Sequence, residues 1–211
     1  KDPVSVMENI VNVTEHLSKK ITAAGGDPMR ETLTVIPTKG GCSYFKADEN
    51  NYFRMYKFIE DSMSYDLVEN PIQLYHAGTA FGKFQSMLSD FSADRLHETI
   101  VDFHNTPKRV EQLNDAISNN AANRADSVRA EIDFAKEYAK YASAVIDKMN
   151  DGSVPLRVTH NDTKLNNVLF DKETGEGLCV IDLDTVMPGS VLFDFGDALR
   201  FGASSGSEDE T

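Results

Sequence analysis

The sequence predicts an α+β fold, in which a first helix is followed by a short β region, several helices and a final β-hairpin. Three observations lead to this prediction. Apolar residues recur at helical spacing from Val6 to Ile21, after a candidate cap at Asp2 and a proline at the first helical position. The segment 52–59 is mostly apolar, as a buried strand would be. Helical periodicity then returns from about Asn70.

The later elements follow from the same periodicities. Their apolar stripes predict three helices, over residues 72–88, 93–103 and 128–149. Three short strands are predicted after them, over residues 156–159, 168–170 and 178–181. The polar segment 172–177 is the expected turn between the last two strands, and the apolar stripes of the helices are interpreted as core positions.

The segment Lys39-Gly40-Gly41 has the composition of a phosphate-binding loop. Such a loop presents its backbone amides at a helix N-terminus, whereas a strand-like segment follows here. A hairpin turn is therefore the favoured interpretation.

Composition and charge limit the classes of function. Among 211 residues, 21 Lys and Arg face 34 Asp and Glu, and the net charge of −13 argues against nucleic-acid or anionic-membrane partners. No apolar run reaches the roughly 20 residues of a membrane span, and no signal peptide opens the sequence. Cys42 and Cys179 lie far apart, which favours buried thiols in a reducing compartment. We therefore expect a cytoplasmic protein; its oligomeric state is left open.

The strongest motif lies in the final hairpin. His160, Asp162 and Asn167 form the pattern H-x-D-x-x-x-x-N between two apolar segments, which is the spacing of the kinase catalytic loop. The next predicted strand ends in Asp182-Leu183-Asp184. A lone H-x-D is a weak signal. The signal becomes specific here because the Asn lies at the kinase offset, apolar strands flank the loop, and the next strand ends in Asp182-Leu183-Asp184. The alternative is a polar turn whose Asp and Asn cap the backbone.

These residue types suit phosphoryl transfer. A carboxylate near the attacking hydroxyl accepts its proton and orients it, a role that fits Asp162. Hard oxygen ligands hold Mg²⁺ against the phosphates, and Asn167 and Asp182 can reach one ion from two strand ends. Lys164, two residues after Asp162, could neutralise charge on the transferred group.

The segment His160–Asn167, followed by Ile181–Thr185, resembles the aminoglycoside phosphotransferase and choline kinase superfamily, whose members are relatives of protein kinases. With residues 103–109 and 193–200, the chain is more narrowly similar to bacterial N-acetylhexosamine 1-kinases. The resemblance implies a protein-kinase-like two-lobe fold with ATP and Mg²⁺ as cofactors. Residues 1–61 would be the rest of a truncated N-terminal sheet lobe. Residues 62–211 would form a mainly helical C-terminal lobe with the catalytic β-hairpin.

Carried over by position, the resemblance makes Asp162 the base and Asn167 and Asp182 the Mg²⁺ ligands. It gives His160 the role of bracing the loop through a backbone hydrogen bond. Asp184 is open between an outer contact to the metal site and a helix or turn cap.

Asp194-Phe195-Gly196 spells the D-F-G metal motif of protein kinases, but it does not end the strand paired with the catalytic loop. Asp182 does, so the metal is assigned to Asp182. The resemblance implies that Asp194 supports the catalytic loop structurally.

The segment Phe58-Ile59-Glu60 is similar to the hinge between kinase lobes, whose backbone meets adenine. An ordinary strand end is the alternative. Kinases of this type begin with a glycine-rich hairpin and a strand that carries the phosphate-binding lysine. Neither element precedes the first helix in this sequence. Sugar kinases carry helices of the acceptor pocket after the segment that corresponds to Ile181-Asp182-Leu183-Asp184, but few residues follow that segment here. Together with Lys1 as first residue and the acidic segment 204–211, this predicts an internal fragment that is a poor catalyst.

The leading functional hypothesis is an ATP-dependent kinase for the anomeric hydroxyl of an N-acetylhexosamine. Choline, homoserine or an aminoglycoside are the alternative acceptors. From other classes, a non-catalytic nucleotide-binding module is disfavoured by the intact motifs. A Mg²⁺-dependent phosphohydrolase would use the same carboxylates but need no acceptor.

Overall fold

The structure is a computed structural model that describes residues 2–204. The acidic segment 205–211 and Lys1, which contributed above to the prediction of an internal fragment, lie outside the described residues. Within the described range, residues 2–99 and 156–204 form one compact unit and residues 100–155 form another. The division into lobes at residues 61 and 62 stays a prediction.

Helix α1 (Pro3–Ala23) confirms the first predicted element. It begins at Pro3 because the Asp2 carboxylate accepts hydrogen bonds from two backbone N–H groups of the first turn. Gly25 follows its end with a positive φ of 79°. The apolar face of the helix is buried in the core of the first unit, through Val6, Met7, Ile10, Val13, Leu17 and Ile21.

The β region after the short helix α2 (Pro28–Glu31) is small and mostly exposed. Strand β1 (Phe45–Lys46) pairs antiparallel with β2 (Tyr52–Phe53). The prediction of a buried strand over residues 52–59 was wrong, because Phe53 and Phe58 are exposed and Ile59 is buried outside any strand. An apolar run becomes a buried strand only when other elements cover both of its faces, and this two-stranded pairing does not cover them.

The predicted turn at Lys39-Gly40-Gly41 is present. The Thr38 N–H donates to the Cys42 carbonyl at 2.8 Å, and the Gly41 N–H donates to the Thr38 carbonyl at 2.9 Å. No helix begins there, in agreement with the rejection of a phosphate-binding loop.

Helix α3 (Pro71–Met87) confirms the predicted helix over residues 72–88 and begins with a capping box formed by Asn70 and Gln73. The helix predicted over residues 93–103 was wrong, since only a 3₁₀ turn over Ala93–Arg95 forms. The side chain of Asn9 explains the difference. It accepts a hydrogen bond from the His97 N–H and donates one to the His97 carbonyl, so it takes both backbone groups that a helix would need.

Two small antiparallel sheets carry the final hairpin. Strand β5 (Val168–Asp171) lies between β3 (Ser62–Met63) and β6 (Gly177–Val180). Strand β4 (Arg157–Thr159) pairs with β7 (Met187–Gly189). The three strands predicted from the sequence are confirmed to within about two residues at each end. Helix α7 (Val191–Ala203), capped by Ser190, follows β7.

The second unit contains helices α4 (Thr106–Asn119), α5 (Arg129–Tyr138) and α6 (Ala144–Asn150). The prediction of one helix over residues 128–149 was wrong, because a 3₁₀ turn over Ala139–Tyr141 separates α5 from α6. Of the predicted apolar stripe only Ile132 is buried. Periodicity shows which residues can share a helical face, but it does not show that the hydrogen-bond ladder continues or that another element covers the face.

The two cysteines differ in environment. Cys179 is buried in β6, and burial raises the pKa of its thiol to about 12. Cys42 is exposed, so the expectation of buried thiols was wrong for this residue. Cys42 is exposed because its turn belongs to the small β region that no other described element covers. In the described part of the chain, no helix is long and apolar enough to cross a membrane.

We expect Gly177→Ala to lower the free energy of unfolding by about 1–3 kcal/mol, since overpacking a closely packed position forces its neighbours to shift. The added Cβ would lie 2.7 Å from the carbonyl oxygen of His76 and 2.9 Å from the Cβ of Ala80, both in α3. Gly78→Ala is the matched control. Its position in α3 is exposed with no atom within 4 Å, and we expect a gain of about 0.5–1 kcal/mol. Urea unfolding measures both, and shifts of the same sign would contradict the close packing of β6 on α3.

Candidate active site

His160 fixes the loop between β4 and β5 to the end of β6. Its ring is fully buried and packs edge-on against Phe81, with the ring centroids 5.3 Å apart. The Nε2 atom lies 2.9 Å from the Ile181 carbonyl oxygen, and Nδ1 lies 3.3 Å from the backbone nitrogen of Asp162. Because a carbonyl only accepts and a backbone N–H only donates, the ring proton is on Nε2.

Asp194, in the first turn of α7, holds the backbone of the same loop. Its carboxylate is buried and accepts hydrogen bonds from the N–H groups of His160 at 3.0 Å and Asn161 at 2.7 Å. The Gln85 side chain donates a third at 2.8 Å. Three donors compensate the cost of burying this carboxylate, and they fix the direction in which the loop leaves β4.

Asp197, one helical turn further along α7, holds the next part of the loop. Its carboxylate accepts the Thr163 N–H at 2.7 Å, while the Thr163 hydroxyl donates to the Asp194 carbonyl at 2.7 Å. Asp197 also pairs with Arg200 at 2.9 Å. The sequence motif did not identify Asp197, although its spacing from Asp194 could have indicated a second contact from the same helix face.

Asn161 completes the fixation of the loop with a left-handed backbone, φ 67°. Its side-chain nitrogen donates to the carbonyls of Thr159 at 3.2 Å and Thr185 at 2.8 Å, and the Thr185 hydroxyl donates to the His160 carbonyl. Asparagine is among the few non-glycine residues that adopt this conformation. The buried side chain of Asn161 thus joins the loop to the turn after β6, while the next residue, Asp162, remains partly exposed.

The structure brings Asp162, Lys164 and Asn167 together. The Asp162 Oδ1 lies 3.2 Å from Lys164 Nζ, and its Oδ2 accepts a hydrogen bond from Asn167 Nδ2 at 3.1 Å. Asn167 Nδ2 also donates to the Asp162 backbone carbonyl at 2.8 Å. The side chains of Asp162 and Lys164 are 24% and 17% exposed, so the carboxylate is oriented by its neighbours and still open to a solute.

The pairing of β5 with β6 places Asn167 beside the strand end that carries the acidic residues. The Ile181 N–H donates to the Asn167 carbonyl at 2.9 Å. Asp182 follows with a left-handed backbone, φ 54°, and an exposed side chain. Asp184 lies in the 3₁₀ turn Leu183–Thr185, and its carboxylate is 2.5 Å from the Arg54 guanidinium. No motif had indicated Arg54.

Arg54 lies in a region where burial and negative charge act together. Burial lowers the pKa of its guanidinium, but the close contact with the Asp184 carboxylate and the nearby negative charge, that of Asp182 included, outweigh this effect, so the pKa is raised overall. The guanidinium carbon lies 5.3 Å from the ring centroid of Tyr56. Burial raises the pKa of the Tyr56 hydroxyl to about 12.

The oxygen atoms of this region fit Mg²⁺. The amide nitrogen of Asn167 faces Asp162, which leaves its amide oxygen as a candidate ligand in addition to the carboxylates of Asp182 and Asp184. Among residues 2–204, no group of three or more His, Cys, Asp or Glu side chains could hold a metal ion. Mg²⁺ does not require such a group, because it usually keeps several waters and binds one or two carboxylates together with substrate phosphates.

The segment Phe58-Ile59-Glu60, interpreted as the hinge, is not part of a strand. Ile59 is buried and its carbonyl accepts the Ser62 hydroxyl at 2.7 Å, whereas Phe58 is 80% exposed. The Glu60 carbonyl accepts a hydrogen bond from Arg30 at 3.3 Å. Contact of this segment with adenine stays a prediction.

The α+β fold and the arrangement of carboxylates in the site together indicate the class of protein. A loop with a held carboxylate, beside a strand end with two further carboxylates, is the arrangement of phosphoryl-transfer enzymes of the kinase type. Comparison with protein families shows that the phosphotransferase enzyme family (APH) matches residues 42–210. The chain belongs to this family. The resemblance to the aminoglycoside phosphotransferase and choline kinase superfamily is thereby confirmed, and the family implies the protein-kinase-like fold with which the α+β structure agrees.

We expect Asp194→Asn to lower the free energy of unfolding by about 1.5–3 kcal/mol, the range for hydrogen bonds to a charged group. The amide would present a donor to one of the two backbone N–H groups that the carboxylate now accepts. Hydrogen–deuterium exchange of a peptide covering residues 158–163 should become faster. Asp115→Asn, at an exposed position of α4, is the control with the same charge change. Equal exchange in the two variants would show that Asp194 does not hold the loop.

Proposed function

We propose that the chain transfers the γ-phosphoryl group of ATP to the hydroxyl group of a small molecule, with Asp162 as the base. The observation that supports this most directly is the double fixation of the Asp162 carboxylate by Lys164 and Asn167. Membership of the phosphotransferase enzyme family supports the reaction class independently of that geometry.

In this reaction the acceptor oxygen forms a bond to the γ-phosphorus as the bond from that phosphorus to the β–γ bridging oxygen breaks, and ADP leaves. The proton of the acceptor hydroxyl passes to Asp162. Each carboxylate oxygen can accept more than one hydrogen bond, so the contacts with Lys164 and Asn167 do not prevent this role. Lys164 offers positive charge to the transferred group.

Asn167 and Asp182, with Asp184 beside them, are the residues that would hold Mg²⁺. When bound, the ion would neutralise phosphate charge as it does in kinases generally. The backbone of Phe58, Ile59 and Glu60 is the proposed contact for adenine. His160 and Asp194 contact the loop backbone on either side of Asn161, so we propose that they position Asp162.

For the acceptor we propose a sugar, and within sugars the anomeric hydroxyl of an N-acetylhexosamine. The support is the similarity of the loop and of residues 103–109 and 193–200 to bacterial N-acetylhexosamine 1-kinases. Choline, homoserine and aminoglycosides are the competing acceptors. A cytoplasmic location and the absence of nucleic-acid or membrane partners stay predictions from the sequence.

We expect Asp162→Asn to lower kcat by roughly 10²–10⁴-fold, the typical contribution of a positioned general base. The fixed loop should keep nucleotide affinity nearly unchanged. ADP release by this chain with Mg-ATP is measured across N-acetylhexosamines, plain hexoses, choline, homoserine and aminoglycosides. Asp115→Asn is again the control.

Turnover confined to N-acetylhexosamines and lost in Asp162→Asn would support both the acceptor and the base. Turnover on another acceptor would support the mechanism but contradict the proposed substrate. Release of inorganic phosphate without an acceptor would favour a phosphohydrolase. Nucleotide binding without turnover would favour a non-catalytic module, and the absence of any nucleotide binding would contradict the kinase proposal.

A further inference from the structure

Arg54 stands beside the candidate metal ligands although it belongs to no motif. It follows β2, and its Nη2 atom lies 2.5 Å from the Oδ1 atom of Asp184. The two residues are 130 positions apart in the sequence. The ring of Tyr56, whose centroid is 5.3 Å from the guanidinium carbon, limits how far the Arg54 side chain can move.

The ion pair is partly exposed, although the Asp184 Oδ1 atom that contacts Arg54 is itself buried. The side chains of Arg54 and Asp184 are 30% and 32% exposed, and Asp182, whose charge also acts on Arg54, is exposed. A partly exposed ion pair adds little to stability, so stability alone is a weak reason for this arrangement. A guanidinium has five N–H donors in a planar fork and matches carboxylate and phosphate oxygens equally well.

A guanidinium and a divalent cation compete for the same carboxylate oxygens. If Asp184 serves the metal, Arg54 therefore has to give up part of its contact with that carboxylate. The phosphates that accompany the metal bring anionic oxygens to the same place. Arg54 can then exchange one anion for another without leaving the position above the Tyr56 ring.

We propose that Arg54 is a phosphate-binding residue of the nucleotide site, which pairs with Asp184 in the nucleotide-free chain and contacts a phosphate oxygen when the nucleotide is bound. This inference rests on the proposed function, since it requires a nucleotide at Asp182 and Asp184. It adds a binding residue from outside the catalytic hairpin.

The test is isothermal titration of the chain with the Mg²⁺ complex of β,γ-methylene ATP, which cannot be turned over, and with adenosine, which has no phosphate. We expect Arg54→Gln to weaken binding of the ATP analogue by about tenfold or more, as loss of a charged hydrogen bond does. Adenosine binding should not change. Arg54→Lys, which keeps the charge without the planar fork, should give a smaller loss, and Arg129→Gln on the exposed face of α5 should give none.

Manganese binding without nucleotide provides a second measurement, made by electron paramagnetic resonance. We expect Arg54→Gln to bind Mn²⁺ as tightly as the unmodified chain or more tightly, because a competing cation has been removed. Weaker Mn²⁺ binding would overturn the proposal, since Arg54 would then be organising the carboxylates and not competing for them.

Three further results would overturn the inference. These are unchanged affinity of Arg54→Gln for the ATP analogue, an equal loss for adenosine and the analogue, and a loss in Arg129→Gln as large as in Arg54→Gln. If Arg54→Gln does not fold, Arg54→Lys decides by the same comparison of the two ligands. Failure of the unmodified chain to bind any nucleotide would reject the proposed function together with this inference. Binding by the unmodified chain with no selective effect at Arg54 would reject the inference alone.

Discussion

The buried carboxylate of Asp194 accepts hydrogen bonds from two consecutive backbone N–H groups of the catalytic loop, and the arrangement of the site depends on this contact. A carboxylate with so little exposure is costly unless donors surround it, so loop and helix α7 hold each other in place. The contact stabilises the left-handed backbone at Asn161. From there Asp162 can be partly exposed while both of its neighbours in the sequence are buried.

A second set of contacts ties this loop to the turn after β6. His160 contacts the Ile181 carbonyl, Asn161 contacts the Thr185 carbonyl, and the Thr185 hydroxyl returns a hydrogen bond to His160. The candidate base and the candidate metal ligands are therefore parts of one hydrogen-bonded body. Phosphoryl transfer requires little covalent chemistry from the protein and depends mainly on position, so rigid coupling of the two segments is what the reaction needs.

The sequence could predict what local chemistry decides. Helix α1 follows from its cap and periodicity, and the pairing of β5 with β6 follows from two apolar segments around a turn. The helix predicted over residues 93–103 does not form because of Asn9, which binds the His97 backbone from more than eighty residues away. The pair of Arg54 with Asp184 could not be found for the same reason, because nothing near either residue indicates the other. The spacing of the motif predicted Asp162 and Asn167 as site residues, but it could not show that Lys164 would pair with the candidate base.

The charge distribution of the site bears on how a chain with a net charge of −13 could bind the nucleotide that we propose as its substrate. Charges farther away than about 10 Å are largely screened at physiological salt, so the groups within the site matter more than the total. Among the described residues of the site, Lys164 pairs with Asp162 and Arg54 pairs with Asp184. In the exchange proposed for Arg54, the metal would supply a cation for Asp184 while the phosphates would supply an anion for the guanidinium that is released.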